Sequence, residues 1–325
     1  RRILRQVPEI LHEFQARYHY FCVDEAQDTS RIQHAIVSLL AGAGGNLFLV
    51  GDEGGAIISE PIGGIPGNFA MVGVFEKGKG DVKFTARSSG GHASAPTKNT
   101  PIARLAAFVN DVETHNYFRR EFPPEVAAMF KSLAPYAAFP LKLVMGNLWL
   151  FAPVLKPVLG RISAQAGAML QTTVAFTMQS GSDACNVLPQ EATVSANMRF
   201  IPHQGEKESL EIIRKVAEKH GLETEVIHSN DYTPAVDING AAFRQVEAVI
   251  NETFPGLPVS PYVMTGATDA QFYQPVCKSC IRFAPVIYGP EQMKGMHGLN
   301  ENIEYNCLPG AVSFYKNLIR AQEKR

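Results

Sequence analysis

The pattern of apolar residues between positions 81 and 228 constrains the fold more than any other feature of this sequence. Residues 81–87 alternate apolar and polar side chains as a half-buried strand does. Residues 206–219 have the spacing of an amphipathic helix that ends at His220-Gly221. The remaining pattern predicts a helix over 102–113 and strands over 172–178, 192–200 and 223–228. This β-α-β-β-α-β order is typical of a ferredoxin-like domain.

The flanking regions also alternate between helix and strand patterns. Residues 1–53 predict helix, strand, helix and strand, and residues 240–325 alternate in the same way before a closing helix from Pro309 to Lys324. Residues 117–170 are apolar and interrupted by prolines, which predicts irregular helices. We interpret their part 133–159, with Trp149, as core packing, and a lipid site is the alternative. The chain is therefore predicted to be α/β.

Composition excludes several classes of function. The 325 residues carry 30 Lys and Arg against 31 Asp and Glu, so the chain has no overall basic field for binding nucleic acid. No apolar run reaches the ~20 residues of a membrane-spanning helix, so no contact with a membrane is predicted. Five cysteines are too few for a disulfide scaffold, which favours a reduced, cytoplasmic environment.

A short apolar strand near the N-terminus ends in two carboxylates, Asp24 and Glu25. Such a strand can hold Mg²⁺ beside a nucleotide phosphate. Residues 14–53 resemble the superfamily 1 DNA helicases, with 23–30 matching the Walker B motif and 46–53 the motif that follows it. The resemblance implies that Asp24 binds Mg²⁺ and that Glu25 is the catalytic base. The chain has no G-x-x-x-x-G-K-[ST] phosphate loop, so we interpret both residues as vestigial.

Five further motifs occur in order between residues 50 and 325. They are Asp52-Glu53-Gly54-Gly55 with Glu76-Lys77-Gly78, Ser89 to Pro96, Asn186 to Pro189 with Asn197-Met198-Arg199, Thr265 to Asp269, and Met296 to Glu301. This part of the chain resembles the co-catalytic zinc hydrolases of metallopeptidase family 20, nearest the Gly-X carboxypeptidases and N-acyl-amino-acid hydrolases. The family has a ferredoxin-like lid, which agrees with the predicted order of elements.

The resemblance implies a pair of zinc ions that activate a water molecule and polarise an amide carbonyl. Asp52 would bind one zinc ion and His297 the other. His92 would reach from the lid of a partner chain and stabilise the oxyanion of the tetrahedral intermediate. The implied assembly is therefore a homodimer that forms through the lid.

The same resemblance implies a set of substrate-binding residues. Asn186 and Arg199 would hold the carbonyl and the carboxylate of the substrate, because the guanidinium group donates two parallel hydrogen bonds to a planar carboxylate. Gly266, Thr268 and Asp269 would shape the pocket. The implied substrate is a small molecule, either a peptide C-terminus or an N-acyl amino acid, cleaved at the amide bond next to its free carboxylate.

Three features of the family's catalytic part are absent from this sequence. No histidine is followed two positions later by Asp, no Glu-Glu pair occurs, and a bridging Asp is not identified. Only Asp52 and His297 remain as metal ligands, whereas a catalytic zinc ion uses about three protein ligands. We therefore expect an impaired hydrolase. The alternatives are a non-catalytic dimerisation or binding module, or a fusion remnant, and, with less support, an ATP-dependent helicase.

The two resemblances meet at Gly51-Asp52-Glu53 and predict a hybrid chain. Its first part is a helicase-like α/β fragment, and the rest is a family 20 hydrolase that lacks its N-terminal catalytic part. The predicted domains are the fragment 1–53, a partial catalytic sheet from 54–80 and 235–325, and a lid or dimerisation domain over 81–234 with an apolar insertion at 117–170.

Overall fold

The computed structural model describes residues 7–17, 20–23, 36, 39–40, 46–49, 55–266, 268, 270–274, 277–295 and 301–323. The strands are β1 (Tyr20–Val23), β2 (Asn46–Leu49), β3 (Ala56–Ser59), β4 (Asn68–Glu76), β5 (Gly78–Arg87), β6 (Gly91–His92), β7 (Thr173–Ser180), β8 (Val187–Leu188), β9 (Glu191–Phe200), β10 (Glu223–Asn230), β11 (Val259–Met264) and β12 (Ala284–Tyr288).

The α-helices are α1 (Pro8–Arg17), α2 (Pro101–Thr114), α3 (Pro124–Leu133), α4 (Leu141–Gly146), α5 (Leu148–Ile162), α6 (Ala164–Ala168), α7 (Gly205–Lys219), α8 (Ala241–Thr253), α9 (Ala270–Tyr273), α10 (Pro290–Gly295) and α11 (Leu308–Glu323). Short 3₁₀ helices cover Ala134–Tyr136 and Tyr305–Cys307. The chain forms two compact units. The core unit comprises residues 1–76, 124–152 and 233–325, and the lid unit comprises residues 77–123 and 153–232.

The lid unit contains a four-stranded antiparallel sheet in the order β10-β5-β9-β7. Helices α2 and α7 complete the β-α-β-β-α-β order, so the predicted ferredoxin-like lid is confirmed. β5 begins at Gly78, three residues before the predicted start. The alternating pattern missed this part of the strand because Gly78 and Gly80 have no side chain. A Cβ atom at Gly80 would lie 2.6 Å from Cζ of Phe200, so the close approach of that ring requires glycine.

The core of the lid unit forms between one face of this sheet and its two helices. Val82, Phe84 and Ala86 alternate along β5 and are fully buried. Phe84 packs against Phe108 of α2, with ring centroids 4.6 Å apart. α2 begins with an N-cap at Thr100, whose Oγ1 accepts a hydrogen bond from the backbone N–H of Ala103 at 3.4 Å.

The core unit contains a four-stranded mixed sheet in the order β11-β4-β3-β12. β11 and β12 run parallel to β4 and β3, while β3 and β4 form an antiparallel pair. Residues 69–76 of β4 are buried without interruption, as in a strand that is covered on both faces. β1 and β2 form a separate parallel pair, as expected for α/β alternation.

The apolar region 117–170 forms helices α3 to α6, as predicted. The interpretation of Trp149 as a core residue is wrong, because its side chain is 80% exposed and helix α5 contains no buried residue. Other residues of the stretch 133–159 do lie in the core, since Leu133 and Met145 are buried. Among the described residues, no helix is both long and apolar enough to cross a membrane.

Candidate functional site

The structure describes half of the residues that the sequence predicts for a site. Five of them lie outside the described residues, namely Asp24, Glu25, Asp52, Asp269 and His297. The other five lie in two groups. His92, Asn186 and Arg199 belong to the lid unit, and Gly266 and Thr268 belong to the core unit.

A short pair of strands brings His92 next to Asn186 within the lid unit. β6 pairs antiparallel with β8, so that His92 lies opposite Val187. The backbone N–H of Ala93 donates to the carbonyl oxygen of Asn186 at 2.9 Å. Gly90 precedes this pair with a φ of +72°, in the region that favours glycine. The pairing therefore joins two motifs that lie about ninety positions apart in the sequence.

An open cavity of about 310 Å³ lies beside this pair of strands. Its lining residues include Gly91, Asp183, Val187 and Gln190. His92 and Asn186 themselves are exposed. A ligand could therefore approach the pair from solvent without any rearrangement of the lid unit.

The hydrogen bonds of His92 define which ring nitrogen carries the hydrogen atom. The backbone N–H of Ser94 donates to Nδ1 of His92 at 3.2 Å, and the Ser94 hydroxyl group lies 2.7 Å from the same atom. A backbone N–H can only donate, so Nδ1 accepts and the neutral ring carries its hydrogen on Nε2. The exposed Nε2–H group is then available to donate to a ligand.

Arg199 lies on β9 in a half-buried polar cluster of the lid unit. Its Nε donates to Oδ1 of Asn197 at 3.0 Å, and Nδ2 of Asn197 donates to Oδ1 of Asp81 at 2.7 Å. This contact holds the guanidinium group through Nε, whereas a bidentate contact with a substrate carboxylate can use the terminal amino groups. Burial of Lys77, and second the positive charge of Arg199, lower the pKa of the Lys77 ammonium group to about 7.

Thr268 contacts a buried ion pair of the core unit. Its hydroxyl group donates to Oε1 of Glu76, and the same oxygen accepts from Nε of Arg282 at 2.9 Å. Glu76 and Arg282 are 1% and 2% exposed. Nη2 of Arg282 also donates to the hydroxyl oxygen of Thr233 at 3.2 Å. Gly266 is the second predicted pocket residue that the structure describes. It lies in a bend, two residues after β11 ends.

The motif Glu76-Lys77-Gly78 does not by itself indicate a role for Glu76, and Arg282 lies outside every motif named above. A signal was present, because Arg282 is the single charged residue in the apolar run from Cys280 to Pro285. A charged residue in such a run is buried only when it has a partner. The sequence does not indicate which carboxylate that partner is.

The described residues do not by themselves form a zinc site. No group of three or more His, Cys, Asp or Glu side chains that could hold a metal ion occurs within the part of the chain that the structure describes. A catalytic zinc ion needs about three protein ligands. The two predicted ligands, Asp52 and His297, lie outside that part.

Comparisons with known proteins agree with the predicted resemblances. Residues 74–225 match the family described as the peptidase dimerisation domain of family M20. Residues 1–59 give a weaker match to the UvrD/REP helicase N-terminal domain. The N-fatty-acyl-amino acid synthase/hydrolase PM20D1 of Xenopus tropicalis is 35% identical over 289 residues, which cover 88% of this chain and 56% of that protein. A probable carboxypeptidase S-like protein of Dictyostelium discoideum is 27% identical over 84% of this chain and 52% of its own length.

Solved structures share the fold at low sequence identity. The dipeptidase Dug1p of Saccharomyces cerevisiae has a TM-score of 0.58 at 11% identity, over 92% of this chain and 64% of that chain. An M20 metallo-carboxypeptidase of Sulfolobus solfataricus has a TM-score of 0.56 at 15% identity, over 85% and 63%. Residues 74–225 therefore match the dimerisation domain of family M20, and most of the chain is similar to proteins related to that family. The chain spans a little over half the length of the curated relatives it matches.

Proposed function

We propose that this chain is the lid and C-terminal part of an M20 hydrolase that acts on an amide bond next to a free carboxylate. The observation that carries the proposal is the β6–β8 pair, which joins the His92 motif to the Asn186 motif on an exposed edge of the lid unit. The substrate class follows from the relatives, since PM20D1 is named for N-fatty-acyl amino acids and others are named as carboxypeptidases.

Each of the three predicted site residues in the lid unit has a proposed role in binding such a substrate. Arg199 would bind the substrate carboxylate through charge-assisted hydrogen bonds. Asn186 would donate to the carbonyl oxygen of the substrate amide. His92 would donate from Nε2 to the oxyanion that develops during hydrolysis, and in the proposed homodimer it would serve the site of the partner chain.

We further propose that the chain hydrolyses amides poorly when it is alone. Zinc ions supply an activated water molecule in hydrolases of this type. The described residues do not offer three ligands for one ion, so the activation of water is not assigned to any of them. Substrate binding by Arg199 and Asn186 does not need the metal and remains testable without it.

A second candidate function is a non-catalytic dimerisation module. The match of residues 74–225 to the dimerisation domain favours it. Sedimentation equilibrium of the purified chain and zinc content per chain distinguish the two candidates. Dimers with two zinc ions per chain would contradict impairment, whereas dimers without zinc and without carboxylate-dependent ligand binding would favour the module.

The proposed substrate class is tested by the affinity for an N-fatty-acyl amino acid, measured by titration calorimetry. Arg199→Gln should weaken binding by about tenfold to a hundredfold, because it removes a charge-assisted contact. Arg214→Gln, on the exposed surface of α7, is the matched control and should bind like the original chain. The corresponding acyl amino acid amide has no carboxylate, and it should bind weakly to all three proteins. Equal affinity for acid and amide would contradict the proposal.

A further inference from the structure

Helix α5 exposes an apolar face to solvent. Its exposed positions are 149, 150, 153, 154, 157, 158, 161 and 162, which recur every four residues and so lie on one side of the helix. All of them except Arg161 are apolar. The side chains of Trp149, Val154 and Ile162 are 80%, 66% and 74% exposed. We call this side of α5 the apolar face.

The apolar face is the reverse of what a surface helix normally shows. In the lid helix α7 the apolar side chains Ile213 and Val216 are buried and the charged ones face water. A contiguous apolar face on a protein surface marks a contact with a protein, a ligand or a membrane. Trp149 at the start of the face has the ring type that favours a boundary between water and an apolar phase.

The charged residues of the chain segment that contains α5 have one sign. Residues 126–182 contain no Asp or Glu, and they contain four basic residues, Lys131, Lys142, Lys156 and Arg161. This region is therefore positive within a chain whose net charge is −1. Lys156 and Arg161 lie on α5 itself, where long basic side chains can lay their stems on an apolar layer and keep their charges in water.

We propose that the apolar face of α5 docks on the surface of an anionic phospholipid assembly. The combination of an apolar face, a single tryptophan and basic flanks is that of a helix lying in the plane of a lipid interface. Its 15 residues are too few to span a hydrocarbon layer. Charge complementarity favours lipid over a second copy of the chain, because a second copy would bring basic residues of the same region together.

The proposal goes beyond the proposed hydrolysis and does not depend on it. Docking needs neither zinc nor a complete active site, so it can succeed or fail whatever the result of the substrate-binding experiment. If both proposals hold, the chain would meet N-fatty-acyl substrates at the surface where such amphiphiles accumulate.

Trp149 is the single tryptophan of the chain, so its fluorescence reports on the apolar face directly. We expect its emission to shift to shorter wavelength when phosphatidylcholine vesicles containing phosphatidylglycerol are added, and the chain to sediment with them. Vesicles of phosphatidylcholine alone should bind less, and added salt should weaken binding to the anionic vesicles.

Matched variants locate the contact. Val154→Glu puts a charge into the apolar face and should lower vesicle affinity by about tenfold or more. Ile227→Glu is the control, because Ile227 is 60% exposed on β10 of the lid unit, and this variant should bind like the original chain. Combining Lys156→Gln with Arg161→Gln should remove most of the preference for anionic vesicles.

Three results would overturn the proposal. The first is an unchanged emission of Trp149 with every vesicle while circular dichroism shows a folded chain. The second is a shift that grows with protein concentration without vesicles, because a second copy would then cover the apolar face. The third is equal weakening by Val154→Glu and Ile227→Glu, which would place the contact elsewhere.

Discussion

Lys77 and Arg282 are both buried cations, but the lid unit and the core unit surround them differently. In the lid unit, Nζ of Lys77 donates to two carbonyl oxygens, those of Ala168 at 2.9 Å and Gln171 at 2.8 Å. In the core unit, Arg282 forms an ion pair with Glu76. Among the described residues, no ion pair includes Lys77.

The difference shows two ways of keeping a cation in an apolar interior. Lysine can lose its proton, and burial lowers the pKa of Lys77 to about 7. Arginine stays charged at all relevant pH, so Arg282 requires a carboxylate. The lid unit therefore holds a group that titrates near neutrality, while the core unit holds a fixed pair of charges.

The largest effect is expected from removing one partner of the fixed pair. Arg282→Met leaves the Glu76 carboxylate buried without its cation, and we expect the free energy of unfolding to fall by about 3–5 kcal/mol. Adding Glu76→Gln removes the remaining charge, so the double variant should recover part of the loss. Urea titrations of the three proteins measure both effects. Equal losses in the single and double variants would show that packing, not charge pairing, holds these residues.

A smaller effect is expected from the pH dependence that Lys77 imposes. Its folded pKa lies below its unfolded value, so the unfolded chain binds more protons between these two values and stability rises with pH there. From about pH 7 to pH 9 the gain is about 3 kcal/mol at most. Lys77→Met should flatten this slope in urea titrations across that range.

The control for this slope is Lys83→Met. Lys83 forms an exposed ion pair with Glu225 on the same unit, so its replacement leaves the buried group in place. The Lys83→Met variant should keep the rise in stability from neutral to alkaline pH. If stability still rises with pH to the same extent in Lys77→Met, another titratable group causes the rise.

The smallest effect concerns a charge at the surface of the lid unit. Hydrogen bonds from His220 and then from Tyr117 lower the pKa of Asp111 below its usual value. The stability that these contacts contribute is present above the unfolded pKa of Asp111 and is lost as pH falls through the lowered value. The difference in urea midpoint between the original chain and Asp111→Asn should therefore shrink in acid.

Asp183→Asn serves as the control for the acid experiment. Asp183 lies in an exposed loop of the lid unit, away from a helix cap. Its replacement should leave the free energy of unfolding within about 0.5 kcal/mol of the original at every pH, as for most surface substitutions. A pH-dependent loss of similar size in both variants would contradict a specific role for the contacts of Asp111.

Local patterns predicted the lid unit well and the core unit less well. The six lid elements were predicted within three residues at either end, because each presents its own periodicity in consecutive residues. The loop at Thr268 was predicted to shape a pocket, but its contact with Glu76 was not, since 192 residues separate the two. The assignment of a substrate site to these residues stays a prediction.

The sequence by itself determined the class of fold, the order of the lid elements and the resemblance to family M20, because periodicity and short motifs can be recognised along a single stretch of chain. Tertiary structure alone decided that Glu76 pairs with Arg282, 206 residues away, and that Lys77 donates to the carbonyl oxygens of Ala168 and Gln171. It also decided that the apolar face of α5 meets solvent. An apolar helix has the same spacing whether its face is covered or bare, so only the packing of the rest of the chain could reveal the difference.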